Sequence, residues 1–341
     1  MLKLNDTQAL KGIALLMLLA HHLFWKNTEL YRDIQVYGNY RLFQSIGVIS
    51  KVCVSLFVFL SGYGLTKKYE QFDFRSKCDI SMYYSQRYCK LFLNYWLIWL
   101  LFVPVSCLVG FTSQNDASVL HNLMKMISDL FCISGFLNLP FYNTTWWFMS
   151  CIIGLYALFP AVIMMIKKGY FLSLIAFSIA IYLIPYEYPT KTVWIYLPAF
   201  LCGIKIAKDN NLLLNKSATY VLYLVLGLLL IERLYVTYGI LLDVIITIMI
   251  VLLYLNVKHT NWVSMVLMYF GKHSMSIFLF HTFIFHIWFR DFIYSTGNPI
   301  IIYGILLMIC IMISELIIRV KRLVHFDKVL EKSIQICMYG K

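Results

Sequence analysis

The chain has 341 residues, of which 61% are hydrophobic, 17% aromatic and only 13% charged. A soluble domain carries about 25% charged residues, and a chain this size cannot hide so much apolar surface in one aqueous core. Composition therefore excludes a soluble fold and points to a polytopic membrane protein; the net charge of +13 sits in loops rather than in a nucleic-acid patch.

The first apolar run, Leu4 to Trp25, carries Lys11 near its start and His22 near its end. Eleven residues separate them. At about 100° per residue they project from one helix face, with about 16 Å of rise between them. His21 is rotated from that stripe by about 80°. An ammonium and an imidazole on an apolar helix are costly unless they face a polar cavity. The bland alternative is a snorkelling lysine and a histidine at the outer interface. No small-residue cleavage site follows, so the run is expected to be a retained span.

Apolar runs long enough for about 30 Å of hydrocarbon fall near 8–25, 46–66, 88–110, 145–166, 170–185, 192–207, 217–232, 239–256, 264–288 and 298–318. That predicts ten spans, the fifth and sixth short. The mixed stretch 118–136, with His121, Lys125 and Asp129, reads as an interfacial helix. Alternate loops carry the cations Lys67, Lys68, Arg75, Lys77, Arg87, Lys167, Lys168, Lys205, Lys208, Lys216 and Lys258, and the tail adds Arg319, Lys321, Arg322, Lys328, Lys332 and Lys341. The other loops carry fewer, among them Lys26, Arg32, Arg41, Lys125, Lys191, Arg233 and Arg290. Both termini are therefore expected in the cytoplasm, in a cell (plasma or inner) membrane.

Along the chain, several short patterns stand out. The second span contains Ser61-Gly62-Tyr63-Gly64, a notch for a neighbouring helix or a ligand. The third opens with Arg87 and Lys90 one turn apart, suited either to phosphate or to ordinary positive-inside anchoring. The fourth opens with Asn143-Thr144-Thr145, then Trp146 and Trp147, where an aromatic belt is expected. Glu232 beside Arg233 reads as an outer cap pair. In the ninth, Ser274 and His281 are seven residues apart on one face. The nine cysteines are scattered, without metal-ligand or CxxC spacing, so no metal is expected.

Together these stretches resemble the acyltransferase-3 superfamily of membrane O-acyltransferases that modify bacterial surface sugars. The resemblance lies in Leu10-Lys11-Gly12-Ile13-Ala14 through His21-His22, in Val54 to Tyr63, in Arg87-Tyr88-Cys89-Lys90, in Trp146 to Pro160 and in Phe270 to His281. Lys11 and Lys90 stand where arginine is commoner, Gln8 where many members have aspartate, and Ser55 where they have an acid. Ile153-Gly154 replaces a Glu-Glu seen in some members, which suits the shorter, stand-alone branch.

The resemblance implies an all-α polytopic domain over residues 1–341, with about ten transmembrane helices around a central cavity. It implies transfer of an acyl group, most often acetyl, from acyl-CoA to a hydroxyl of a lipid-linked or surface glycan. No bound cofactor is implied; acyl-CoA is a substrate, and membrane lipid and the glycan are the partners, with no nucleic acid. His22 is the expected general base, since a neutral imidazole takes a hydroxyl proton near pH 7. Lys11, Arg87 and Lys90 are the expected donor-binding cations. Ser61, Tyr63, Trp147, Ser274 and His281 are expected to line the cavity. A glycan flippase is the competing class, since it also lines a midplane path with polar residues. No repeated halves favour it. A non-catalytic scaffold is the third.

Overall fold

The structure, a computed structural model, describes residues 2–26, 28–37, 40–108, 119–184, 191–208, 214–236, 239–257 and 259–339. Lys258 and Lys341, the ends of the expected segments at 109–110, 118 and 185, and the side chains of His121 and Lys216 lie outside the described residues. The helices are α1 (Leu4–Phe24), α2 (Leu42–Ile49), α3 (Cys53–Lys68), α4 (Lys77–Leu108), α5 (Val119–Leu130), α6 (Trp147–Lys167) and α7 (Phe171–Tyr182). They continue as α8 (Lys191–Lys208), α9 (Lys216–Tyr235), α10 (Ile240–Asn256), α11 (Asn261–Thr282), α12 (Arg290–Tyr294), α13 (Pro299–Leu323) and α14 (Phe326–Tyr339). The strands among the described residues, Gln35–Tyr37 and Tyr40–Arg41, form one small antiparallel ribbon.

The all-α polytopic expectation stands, and seven of the expected ten spans meet the length and apolarity needed to cross a membrane among the described residues. Seven helical stretches among the described residues are long and apolar enough to cross a membrane: Leu4–Phe24, Leu42–Lys68, Lys77–Leu108, Thr144–Lys167, Ser217–Tyr235, Asn261–Trp288 and Pro299–Leu323. The other three expected spans fall short for physical reasons. The 12 residues of α7 rise only about 18 Å. The apolar part of α10, Leu241–Asn256, is also short. In α8 the cations Lys191, Lys205 and Lys208 sit at the two ends of 18 residues. The stretch expected to lie at the interface forms the 12-residue α5.

The chain divides into two units. Unit 1 comprises Met1–Lys68, Tyr196–Phe278 and Asp291–Ile309. At its centre is α1, with Ala9, Leu10, Ala14 and Leu15 fully buried. Glycine makes its closest approaches possible. A Cβ on Gly12 would lie 2.0 Å from the Leu267 carbonyl oxygen, and one on Gly271 would lie 1.9 Å from that of Gln8. So α1 and α11 pack backbone to backbone. The carbonyls at the end of α1, which have no helical partner, accept from tyrosines: Tyr31 Oη reaches Phe24 at 2.8 Å and Tyr294 Oη reaches Leu23 at 3.0 Å. Asp33 caps the start of α2, its carboxylate accepting from the amides of Phe43 and Gln44.

Unit 2 comprises Tyr69–Ile195, Leu279–Arg290 and Cys310–Lys341. Its spine, α4, donates tyrosine hydroxyls to α6 carbonyls: Tyr83 to Tyr156, Tyr84 to Ala157 and Tyr88 to Ile153. Pro160 inside α6 explains the first of these. It has no N–H, so the Tyr156 carbonyl four residues earlier is left unpaired within the helix. Following α11, residues Phe283–Trp288 form a widened turn with π-type bonding. Just ahead of it the Leu279 carbonyl accepts from both Trp146 Nε1 and Asn143 Nδ2.

Candidate active site

In unit 1, α1 carries both residues of the stripe read from the sequence. Lys11 and His22 are both half-buried on α1, between the buried Leu10 and Gly12 and the buried Leu23. His21 is placed differently: it is 7% exposed and its Nδ1 lies 2.8 Å from the Gly47 carbonyl oxygen. A carbonyl only accepts, so Nδ1 carries the proton. The His21 ring stacks on Trp25 at 5.2 Å and meets the His22 ring edge-on at 5.1 Å.

The notch at Gly62 is filled by a helix. A Cβ there would lie 2.3 Å from the Phe200 carbonyl oxygen of α8. Ser61 is half-buried, and Tyr63 is buried with its hydroxyl on the Leu2 carbonyl at 2.9 Å. Ser274 Oγ donates back to Gly271 of its own helix at 2.8 Å. Arg233 does not pair with its neighbour Glu232. Its Nε meets Asp243 at the start of α10, with both side chains 2% exposed. The turn between α9 and α10 brings these two together, and sequence adjacency does not reveal it.

In unit 2, Arg87 is half-buried with its guanidinium 5.6 Å from the Tyr69 ring and 5.5 Å from the Tyr156 ring. Its Nε is buried and has no hydrogen-bond partner among the described residues. Lys90 is exposed. The Lys90 carbonyl accepts from Asn94, whose Oδ1 accepts from Lys321 Nζ at 2.6 Å. Lys321 thus sits beside α4, and Lys90 is among the charges it faces. Its partner is not readable from the chain, because Asn94 lies 227 residues away.

Trp147 is half-buried, but Trp146 is 1% exposed, so it is a core residue and not part of an interfacial belt. Asn143 is also 1% exposed, and its Oδ1 accepts from Thr145; the sequon has no accessible acceptor amide. His281 is fully buried, 3.4 Å from Thr282 Oγ1, and falls in a different unit from Ser274.

A second polar cluster surrounds α5. Lys125, Ser128 and Asp129 are buried, while Leu123, Met124, Met126 and Ile127 are exposed. Burial pushes the Asp129 carboxyl up to about 7; neither carboxylate oxygen has a hydrogen-bond partner among the described residues, and the Tyr95 hydroxyl donates to the Asp129 backbone carbonyl instead. Burial likewise lowers Lys125.

These elements define a polytopic helical membrane protein whose first helix carries a half-buried lysine and histidine. A family model described as an acyltransferase domain matches residues 5–319. The chain belongs to the acyltransferase-3 family and is a multi-pass membrane acyltransferase. No curated protein and no solved structure matches it.

Proposed function

We propose that the chain transfers an acyl group, in the first instance acetyl, from acyl-CoA to a hydroxyl of a lipid-linked or surface glycan. The observation that carries this reading is the α1 stripe, on which Lys11 and His22 are both half-buried. His22 acts as general base. It takes the acceptor hydroxyl's proton as the oxygen attacks the thioester carbonyl, and CoA leaves as the thiol. Lys11 sits about 16 Å away along the axis, a span an extended pantetheine arm covers. Lys11 meets the donor's phosphates, and Arg87 and Lys90 of unit 2 are tested as further donor-binding cations through the KM for acyl-CoA. The Lys/Arg excess in alternate loops supports cytoplasmic termini and a donor supplied from the cytoplasm of a plasma or inner membrane.

The test is thiol release on adding acetyl-CoA and glycan to purified protein, compared between wild type and His22→Ala. Release that depends on His22 supports the enzyme. Glycan movement without thioester loss points to a transporter and overturns the reading.

A further inference from the structure

The Arg233–Asp243 pair does not stand alone. Lys51, half-buried between α2 and α3, faces Arg233, Asp243 and Cys53. Lys51 and Arg233 also face His21, whose ring meets that of His22. Among the described residues, Lys51, Arg233 and Asp243 thus gather two cations and one carboxylate beside the His22 end of α1. Asp243 is already engaged by Arg233, so one positive charge is left over. A surplus charge away from water is costly unless something answers it.

Two hydroxyls point the same way. Ser55 follows Lys51 by four residues on α3, and Thr247 follows Asp243 by four residues on α10, about one turn in each case. The two helices pack against each other. Both residues are 0% exposed, and Ser55 Oγ and Thr247 Oγ1 have no hydrogen-bond partner among the described residues. Buried hydroxyls are nearly always satisfied. An unanswered cation and two unsatisfied hydroxyls together match one kind of ligand, which carries both an anionic group and hydroxyls.

We propose that Lys51, with Arg233 behind it, forms an anion subsite that selects an acidic sugar as the acyl acceptor. The proposal deepens the acyl-transfer reading and rests on it for the word acceptor. The ligand's carboxylate or phosphate lies against Lys51, and its hydroxyls reach toward Ser55 and Thr247. Asp243 holds Arg233 in place and keeps the subsite from carrying two uncompensated charges.

The test is equilibrium binding of galacturonate, galactose 1-phosphate and galactose to the purified full-length protein in detergent. Wild type should bind at least one acidic sugar about tenfold or more tightly than galactose, as one charge-assisted contact allows. Whichever acidic sugar binds tighter tells carboxylate from phosphate. Lys51→Met should lose the preference and Lys51→Arg should keep it. Equal binding of all three sugars by wild type overturns the proposal, as does a preference that survives Lys51→Met. Should Lys51→Met fail to fold, wild type alone decides: the preference must shrink on going from low to high salt, and a salt-independent preference refutes an anion subsite. Binding needs no turnover, so thioester assays on His22→Ala judge the acyl-transfer reading separately.

Discussion

His21 Nδ1 donates to the Gly47 carbonyl across 2.8 Å, and this bond ties the end of α1 to α2 one residue before the proposed base. The adjacent histidines therefore differ in their surroundings. From helical phase alone, His21→Ala is a silent control. The structure makes it a destabilising change, because it strands a buried carbonyl at a cost of roughly 1–3 kcal/mol. His21→Ala should lower the melting temperature. His22→Ala should leave it unchanged while cutting thioester consumption by about 10²–10⁴-fold. Equal thermal losses in the two variants would remove the distinction.

Gly271→Ala should destabilise more than its small size suggests. The new Cβ would lie 1.9 Å from a backbone oxygen of α1, and backbone cannot swing aside as a flexible side chain can. Overpacking of this kind costs about 1–3 kcal/mol. Gly12→Ala meets the same obstacle from the other helix. Gly64→Ala is the control, since nothing lies within 4 Å of its Cβ position. A melting series over the three variants checks this. Helix propensity alone favours alanine at all three positions, so comparable loss at Gly64 would show that the close α1–α11 approach is not what makes these glycines necessary.

How much of this was legible in the sequence depends on the distance over which each feature is written. The Lys11–His22 stripe lies within one helix, so its period reveals it. The seven long spans are local too, since each needs only a run of apolar residues. Gly12 and Gly271 lie on different helices, and no local rule joins them. Arg233 was matched to Glu232 because neighbours in sequence are the easiest partners to see, and only the α9–α10 turn delivers Asp243. Trp146 and Asn143 carried familiar surface signatures, yet the Leu279 carbonyl holds both inside. Lys321 was counted as tail charge, and Asn94 shows its other side. The polar face of α5 was visible, but not that it turns inward.

Arg233→Met alone should cost about 3–5 kcal/mol, because it leaves the Asp243 carboxylate buried without its partner. The double variant Arg233→Met/Asp243→Leu should recover most of that loss, since apolar residues of similar volume often replace a buried pair without penalty. Thermal unfolding of both variants decides this. A double variant no better than the single would show that Lys51, which also faces Asp243, needs that carboxylate.

Arg87 is set between two tyrosine rings, a place that suits a planar guanidinium and not an ammonium. Arg87→Lys should therefore raise the apparent KM for acyl-CoA nearly as much as Arg87→Ala does. Loss of one charge-assisted contact corresponds to about tenfold or more. Lys321→Met should raise it less, because Lys321 is also engaged by Asn94. Unchanged donor kinetics in all three would leave these cations with only their topological role.

Asp129 should make stability fall as pH rises through neutrality. Its carboxyl is fully buried, and burial raises it from the usual carboxylate range to about 7 in the folded protein. The unfolded chain releases the proton near pH 4, so between about 4 and 7 the unfolded state is charged while the folded state is not. Folding then holds on to a proton that the unfolded chain gives up, and each step up in pH within that window favours unfolding. Above about 7 both states are charged, and the penalty stops growing. Among the groups near Asp129 are Trp99, Tyr95, Tyr142, Cys132 and Lys125; Lys125 carries a charge, and it opposes the shift without cancelling it. Asp129→Asn removes the titrating group and keeps the shape. Its melting temperature should be nearly flat from pH 5 to 8, while the wild-type value drops by several degrees over the same range. Parallel curves for the two proteins would show that Asp129 is charged in the folded state throughout, held there by Lys125.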